Sequence, residues 1–141
     1  MKQLISVLLS LFMIIGSGIT AYADPKEDTP VDIEITEEYQ YTNRISSSLS
    51  ISNYTATCTS IVRGFSGLAD KITITQTLQK QNGSSWSYVT SWNKTYNTWL
   101  GTFVNTKSSL SSGTYRVKTV AKVYSGSDYE TITVYSSTAS C

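Results

Sequence analysis

Residues 110–123 read LSSGTYRVKTVAKV, and the two halves of this stretch make different demands on the backbone. Leu110, two serines, Gly113, Thr114 and Tyr115 have the form of a tyrosine corner. In that device the Tyr hydroxyl returns to bond backbone a few residues upstream, and Gly permits the tight path into the strand. From there the residues alternate. Tyr115, Val117, Thr119, Ala121 and Val123 share one face, while Arg116, Lys118 and Lys122 point the other way. A strand that starts at such a corner and buries one face belongs to a Greek-key sandwich, so the stretch predicts an all-β fold.

The same period-two alternation recurs upstream. RISSSLSIS puts Ile45, Leu49 and Ile51 on one side, and YTATCTSIVRG groups Tyr54, Ala56, Cys58, Ser60 and Val62. DKITITQTLQK sets Ile72, Ile74 and Leu78 against Thr73, Thr75 and Thr77, the pattern of a half-buried strand. Asn82-Gly83 then predicts a type I′ hairpin turn into SWSYVTSW, where Trp86, Tyr88, Thr90 and Trp92 fall on one face. TWLGTFVNT and, after Ser125-Gly126-Ser127, DYETITVYS complete about seven strands. Composition agrees with this reading: 43 of the 141 residues are Ser or Thr, which suits the outward faces of strands.

The first 23 residues read as a secretory signal peptide: Lys2, an apolar run from Leu4 to Ile19, and a small-residue motif ending at Ala23. The run is too interrupted for a membrane span, no Cys follows it for lipid attachment, and no stable membrane anchor is expected after cleavage. Residues 24–41 form an acidic N-terminal arm that holds seven of the ten carboxylates, with a formal charge of −6, whereas 42–141, the sandwich domain, carries +6. The arm reads as a solvated segment or as a cover for the basic face, and its VDIEI alternates well enough to form a short strand.

The corner and the ETITVYS run after it resemble the F and G strands of immunoglobulin-like and fibronectin-type domains. Val117 stands where antibody-type domains carry a Cys, and the strand from Asp70 to Lys80 has no Trp. The resemblance therefore implies an immunoglobulin-like shape without the inter-sheet disulfide. Over Leu49 to Ser137 the order of strands is also similar to small secreted proteins of Gram-positive, clostridia-like bacteria known as domains of unknown function. That likeness implies export and a bacterial source, and it assigns no catalytic or binding residue.

Cys58 and Cys141 are the only cysteines, and three fates are open: an intramolecular disulfide, a buried free thiol at Cys58, or an intermolecular bond through Cys141. The absence of His removes Ser-His-Asp and Cys-His machinery and nearly all zinc sites. The core domain offers only Asp70, Asp128 and Glu130 as carboxylates, and their spacing fits neither a glycosidase pair nor a calcium loop. A non-enzyme with no metal and no cofactor is expected, and the near-neutral, exported chain argues against nucleic acid as a partner.

What remains is surface recognition of an extracellular glycan, a wall polymer or a protein. Trp86, Tyr88 and Trp92 are candidates for a sugar-stacking platform if their shared face is outward, and a core stripe if it is inward. Trp99 is a further candidate for exposure. Arg116, Lys118 and Lys122 form a basic stripe suited to an anionic surface or simply to solvent. The alternation of Ser and Thr with apolar residues would also suit a membrane-active, toxin-like protein that inserts a hairpin.

Overall fold

The computed structural model describes the backbone of Val31–Glu34 and residues 39–141. The signal peptide expected over 1–23 lies outside the described residues, as do Asp24, Glu27, Asp28, Glu37 and Glu38 of the acidic arm. Among the described residues nine strands succeed one another: β1 Val31–Glu34, β2 Thr42–Ser52, β3 Thr55–Gly64, β4 Lys71–Asn82, β5 Ser85–Tyr96, β6 Leu100–Lys107, β7 Thr114–Ser125, β8 Asp128–Tyr135 and β9 Ala139–Ser140. They build two antiparallel sheets packed on each other, β1-β2-β3-β6 and β5-β4-β7-β8, with β9 paired to β7 beyond the end of β8. Hairpins join β2 to β3, β4 to β5 and β7 to β8, while the β3–β4, β5–β6 and β6–β7 connections pass from one sheet to the other. The all-β sandwich expected from the alternation is the observed fold.

Strand β4 shows how the sequence dictates this. Ile72, Ile74, Gln76 and Leu78 are fully buried, and the β-branched Thr73, Thr75 and Thr77 between them cover the outer pleat. Across β4, strand β7 turns in Tyr115, Val117, Thr119, Ala121 and Val123. The apolar core falls into two clusters, one around Ile45, Val62, Ile74 and Ala121, the other around Leu49, Cys58, Leu78 and Val117. On each of four strands a fully buried polar residue separates a member of one cluster from a member of the other: Ser47, Ser60, Gln76 and Thr119.

These four form one hydrogen-bonded layer across the sandwich. Gln76 Nε2 donates to Ser60 Oγ at 2.8 Å and to the Phe103 carbonyl at 3.2 Å, and its Oε1 accepts from Asn105 Nδ2 at 3.0 Å. Ser60 and Thr119 share a bond of 2.7 Å, and Thr119 donates to Ser47 at 2.9 Å. Burying polar groups is tolerable only when they are paired, and no buried side-chain nitrogen or oxygen among the described residues lacks a partner.

The tyrosine corner forms as expected. Tyr115 is buried, and its hydroxyl donates to the Ser111 carbonyl at 2.6 Å. Gly113 adopts φ 155°, where a Cβ would come within 2.5 Å of Lys80 Cε. Leu110 is buried and its N–H donates to the Tyr54 carbonyl at 2.9 Å, which ties the corner to the β2–β3 turn. That turn corrects one expectation. Asn53 and Tyr54 have φ 50° and 57°, the two positive angles of a type I′ loop, so Tyr54 sits in the turn and is exposed rather than joining the inward face of β3. The β4–β5 loop is likewise displaced by one residue. It consists of Gly83 and Ser84, with Asn82 paired to Ser85 and positive φ at Gly83 alone, as a type II′ turn requires.

Cys58 and Cys141 are both free thiols, so the disulfide kept open from sequence is not formed. Cys58 sits fully buried on β3, opposite Leu49, whereas Cys141 is held at the edge of β7 by reciprocal backbone bonds with Gly113, its sulfur turned to the Ser111 carbonyl. Burial pushes the Cys58 thiol up to about 12. At pH 8 that leaves roughly one thiolate in ten thousand at Cys58. Native protein treated with a maleimide at pH 8 is therefore expected to take up one label, at Cys141, and a second only in denaturant. Prompt labelling of Cys58 in the native protein would contradict its placement.

Candidate binding face

The outward surface of the β5-β4-β7-β8 sheet collects most of the residues that carry recognition chemistry, and a β-bulge decides which of them. Leu78 pairs with Thr90 but Gln79 pairs with Tyr88, so Val89 has no partner in the ladder. An extra residue reverses the side-chain parity beyond it. Trp92, opposite the buried Gln76, points inward and packs against both core clusters, and Val89 packs against the second. Trp86 and Tyr88, opposite Gln81 and Gln79, point outward, and Tyr88 is 69% exposed. The single aromatic face expected for Trp86, Tyr88 and Trp92 is thus divided: two rings are presented to solvent and the third belongs to the core. Trp99 is half-buried against the first cluster.

The outward residues of β7 meet the outward rings of β5. Arg116 pairs with Gln79, and its Nε donates to Gln79 Oε1 at 2.8 Å. Its guanidinium carbon lies 4.2 Å from the centre of the Trp86 ring and 4.1 Å from that of Tyr135 on β8. Each such contact contributes about 0.5–1 kcal/mol at an exposed site. Their combined effect here is to fix the guanidinium between rings drawn from both flanks of the sheet. Lys118 follows directly across from Tyr135. At the other end of the face, Lys71 stacks on Tyr124 at 4.0 Å and Lys122 lies 5.1 Å from Tyr129. Between the two ends runs a hydroxyl and amide surface, with Thr73 bonded to Thr95, Asn93 to Thr75 and Thr77 to Ser91.

By register this outer face carries Lys71, Arg116, Lys118 and Lys122 and, among the described residues, no carboxylate. The basic stripe and the aromatic pair, separate in sequence, therefore share one surface. Tyr135, Tyr129 and Gln79 belong to it too. The two tyrosines were readable in the alternation of DYETITVY, which puts Tyr129, Thr131, Thr133 and Tyr135 on one side of β8.

The carboxylates of the described side chains lie elsewhere. A shallow depression of about 510 Å3 is lined by Gln40, Tyr41, Ser127, Asp128, Tyr129 and Glu130. Glu130 is tied to the main chain of a neighbouring segment. Its two oxygens accept from the Gln40 N–H at 3.0 Å, the Tyr41 N–H at 2.7 Å and the Thr42 hydroxyl at 3.0 Å. It thereby fastens the chain leading into β2, while β1, out of the acidic arm, pairs with Arg44 to Ser47 of β2. Asp70 accepts from the Gly126 N–H at 2.7 Å and closes the β7–β8 turn. Two of the three acids expected in the sandwich thus hold backbone, and no group of three or more metal-ligating side chains occurs among the described residues.

Comparison with protein families, curated proteins and solved structures finds no match for this chain.

Proposed function

We propose that this chain is an exported, non-catalytic binding module, and that the outer face of the β5-β4-β7-β8 sheet is its recognition surface. The observation that carries this reading is the joint presentation of Trp86, Tyr88 and Tyr135 with Arg116 and Lys118 on a face free of described carboxylates. Aromatic rings with a polar rim are the usual furniture of carbohydrate and protein contacts, because they bury much area at little conformational cost. Stacking also holds Arg116 in place before any ligand arrives, which lowers the ordering penalty of binding. The leader-like residues 1–23 support export, and the strand order β2-β3-β6 against β5-β4-β7-β8 supports the immunoglobulin-like and fibronectin-type reading.

The test is tryptophan fluorescence of the protein expressed from the full chain, titrated with soluble polysaccharides and wall fragments. A saturable change is expected, and it should vanish in Trp86→Ala while Trp92 and Trp99 still report a folded core. An undiminished change in that variant would place recognition elsewhere.

A further inference from the structure

We infer that the ligand of this face is an acidic polysaccharide whose pyranose rings themselves carry the carboxylates. The inference rests on the binding-module reading above and adds the ligand class to it. Two features of the surface make separate demands. The exposed ring of Tyr88 and the partly exposed ring of Trp86 offer flat apolar area, and the C–H faces of a pyranose complement such rings. Arg116 uses Nε toward Gln79, and neither Nη group makes a hydrogen bond to a described residue, so its planar donor pair stays available to a planar carboxylate.

Cations and rings also alternate in space. Outward residues on one strand recur about every 7 Å. Arg116 and Lys118 are such neighbours on β7, with Trp86 and Tyr88 to one side and Tyr135 to the other. A polymer crossing this end of the sheet meets rings and positive charges within a few ångströms of each other. A neutral glycan leaves the charges unanswered, and a simple polyanion leaves the rings unanswered. A uronic-acid polymer satisfies both in each repeating unit. The hydroxyl and amide surface of Thr73, Thr75, Thr77, Ser91 and Asn93 beyond it supplies further polar contacts for sugar hydroxyls.

The deciding experiment titrates the protein, expressed from the full chain, with polygalacturonate, dextran, polyglutamate and oligothymidylate at one ionic strength. Polygalacturonate is expected to bind at least tenfold more tightly than each of the other three. Tyr88→Ala and Lys118→Gln should each weaken it about tenfold, with unchanged urea midpoints, because both side chains stand at the surface. Lys107→Gln, on β6 of the other sheet, should leave it unchanged.

Dextran binding as tightly as polygalacturonate and remaining sensitive to Tyr88→Ala would overturn the acidic ligand and leave the binding face standing. Polyglutamate or oligothymidylate binding as tightly would overturn the glycan. Binding of no polymer, or full affinity in both Tyr88→Ala and Lys118→Gln, would remove the ligand class and this binding face together.

Discussion

A Gln76→Ala variant is expected to unfold about 2–3 M lower in urea than the parent, a loss of about 4 kcal/mol. Gln76 is the hub of the buried polar layer: it serves Ser60, the Phe103 carbonyl and Asn105 at once. Alanine removes all three partnerships, two of them buried and the one with Asn105 part-buried. Each abandoned buried group costs about 1–3 kcal/mol, and the space left by the side chain adds a cavity term. Against a usual total of about 5–15 kcal/mol, that is a large share of the stability.

Gln76→Leu keeps most of the volume and should lose roughly half as much, since only the orphaned partners remain to be counted. Replacing the layer together, Ser47→Ala, Ser60→Ala, Gln76→Leu and Thr119→Val, removes donors and acceptors in step and should recover stability relative to Gln76→Ala. Equal stability of Gln76→Ala and the parent would mean that the layer is hydrated rather than closed.

Gly64→Ala is the second large effect, expected to cost about 2–3 kcal/mol and to lower the thermal midpoint by about 10 °C. Gly64 ends β3 where three segments converge. Its N–H donates to the Trp99 carbonyl at 2.7 Å, and the next residue, Phe65, donates to the Tyr41 carbonyl at 2.9 Å. A methyl group at Gly64 would overlap Ala69 Cβ and approach the Tyr41 carbonyl oxygen to 3.0 Å. Neither neighbour yields easily. Ala69 is buried, and its backbone is held by a bond from its N–H to the Phe65 carbonyl at 2.9 Å. The double variant Gly64→Ala, Ala69→Gly should regain at least half of the loss, because it removes the atom in the way. A double variant no more stable than the single one would show that the overlap is not the cause.

The fold was legible because alternation and turn chemistry agree along most of the chain. Ile72, Ile74 and Leu78 face inward, the corner at Tyr115 closes on Ser111, and VDIE forms β1, all as their patterns imply. The polar layer was half visible: Ser60 and Thr119 stood on inward faces, but nothing local says that Gln76 from another strand meets them. Such partnerships arise only when two sheets pack. The basic stripe faced outward as expected. The aromatic face failed for a physical reason. Trp86, Tyr88, Thr90 and Trp92 alternate without interruption, and the bulge lies in how β5 pairs with β4, where the local sequence carries no mark of it. The role of Glu130 was not legible either, since its partners are main-chain N–H groups and a hydroxyl some ninety residues away.

The unpaired Val89 gives β5 two reading frames. Of the alternating set Trp86, Tyr88, Thr90 and Trp92, the two before Val89 are displayed to the surroundings and the two after it are turned to the interior, although the set is one continuous pattern in sequence. In such a ladder, gaining a single residue in the facing strand rewrites the displayed set as thoroughly as several substitutions, while every side chain keeps its identity. A residue added to β4 between Leu78 and Gln79 would give Val89 a partner, and Trp86 and Tyr88 would then fall into the frame of Trp92 and leave the outside bare of their rings. Variation in length, more than variation in composition, is therefore the economical route by which this scaffold could exchange one recognition surface for another.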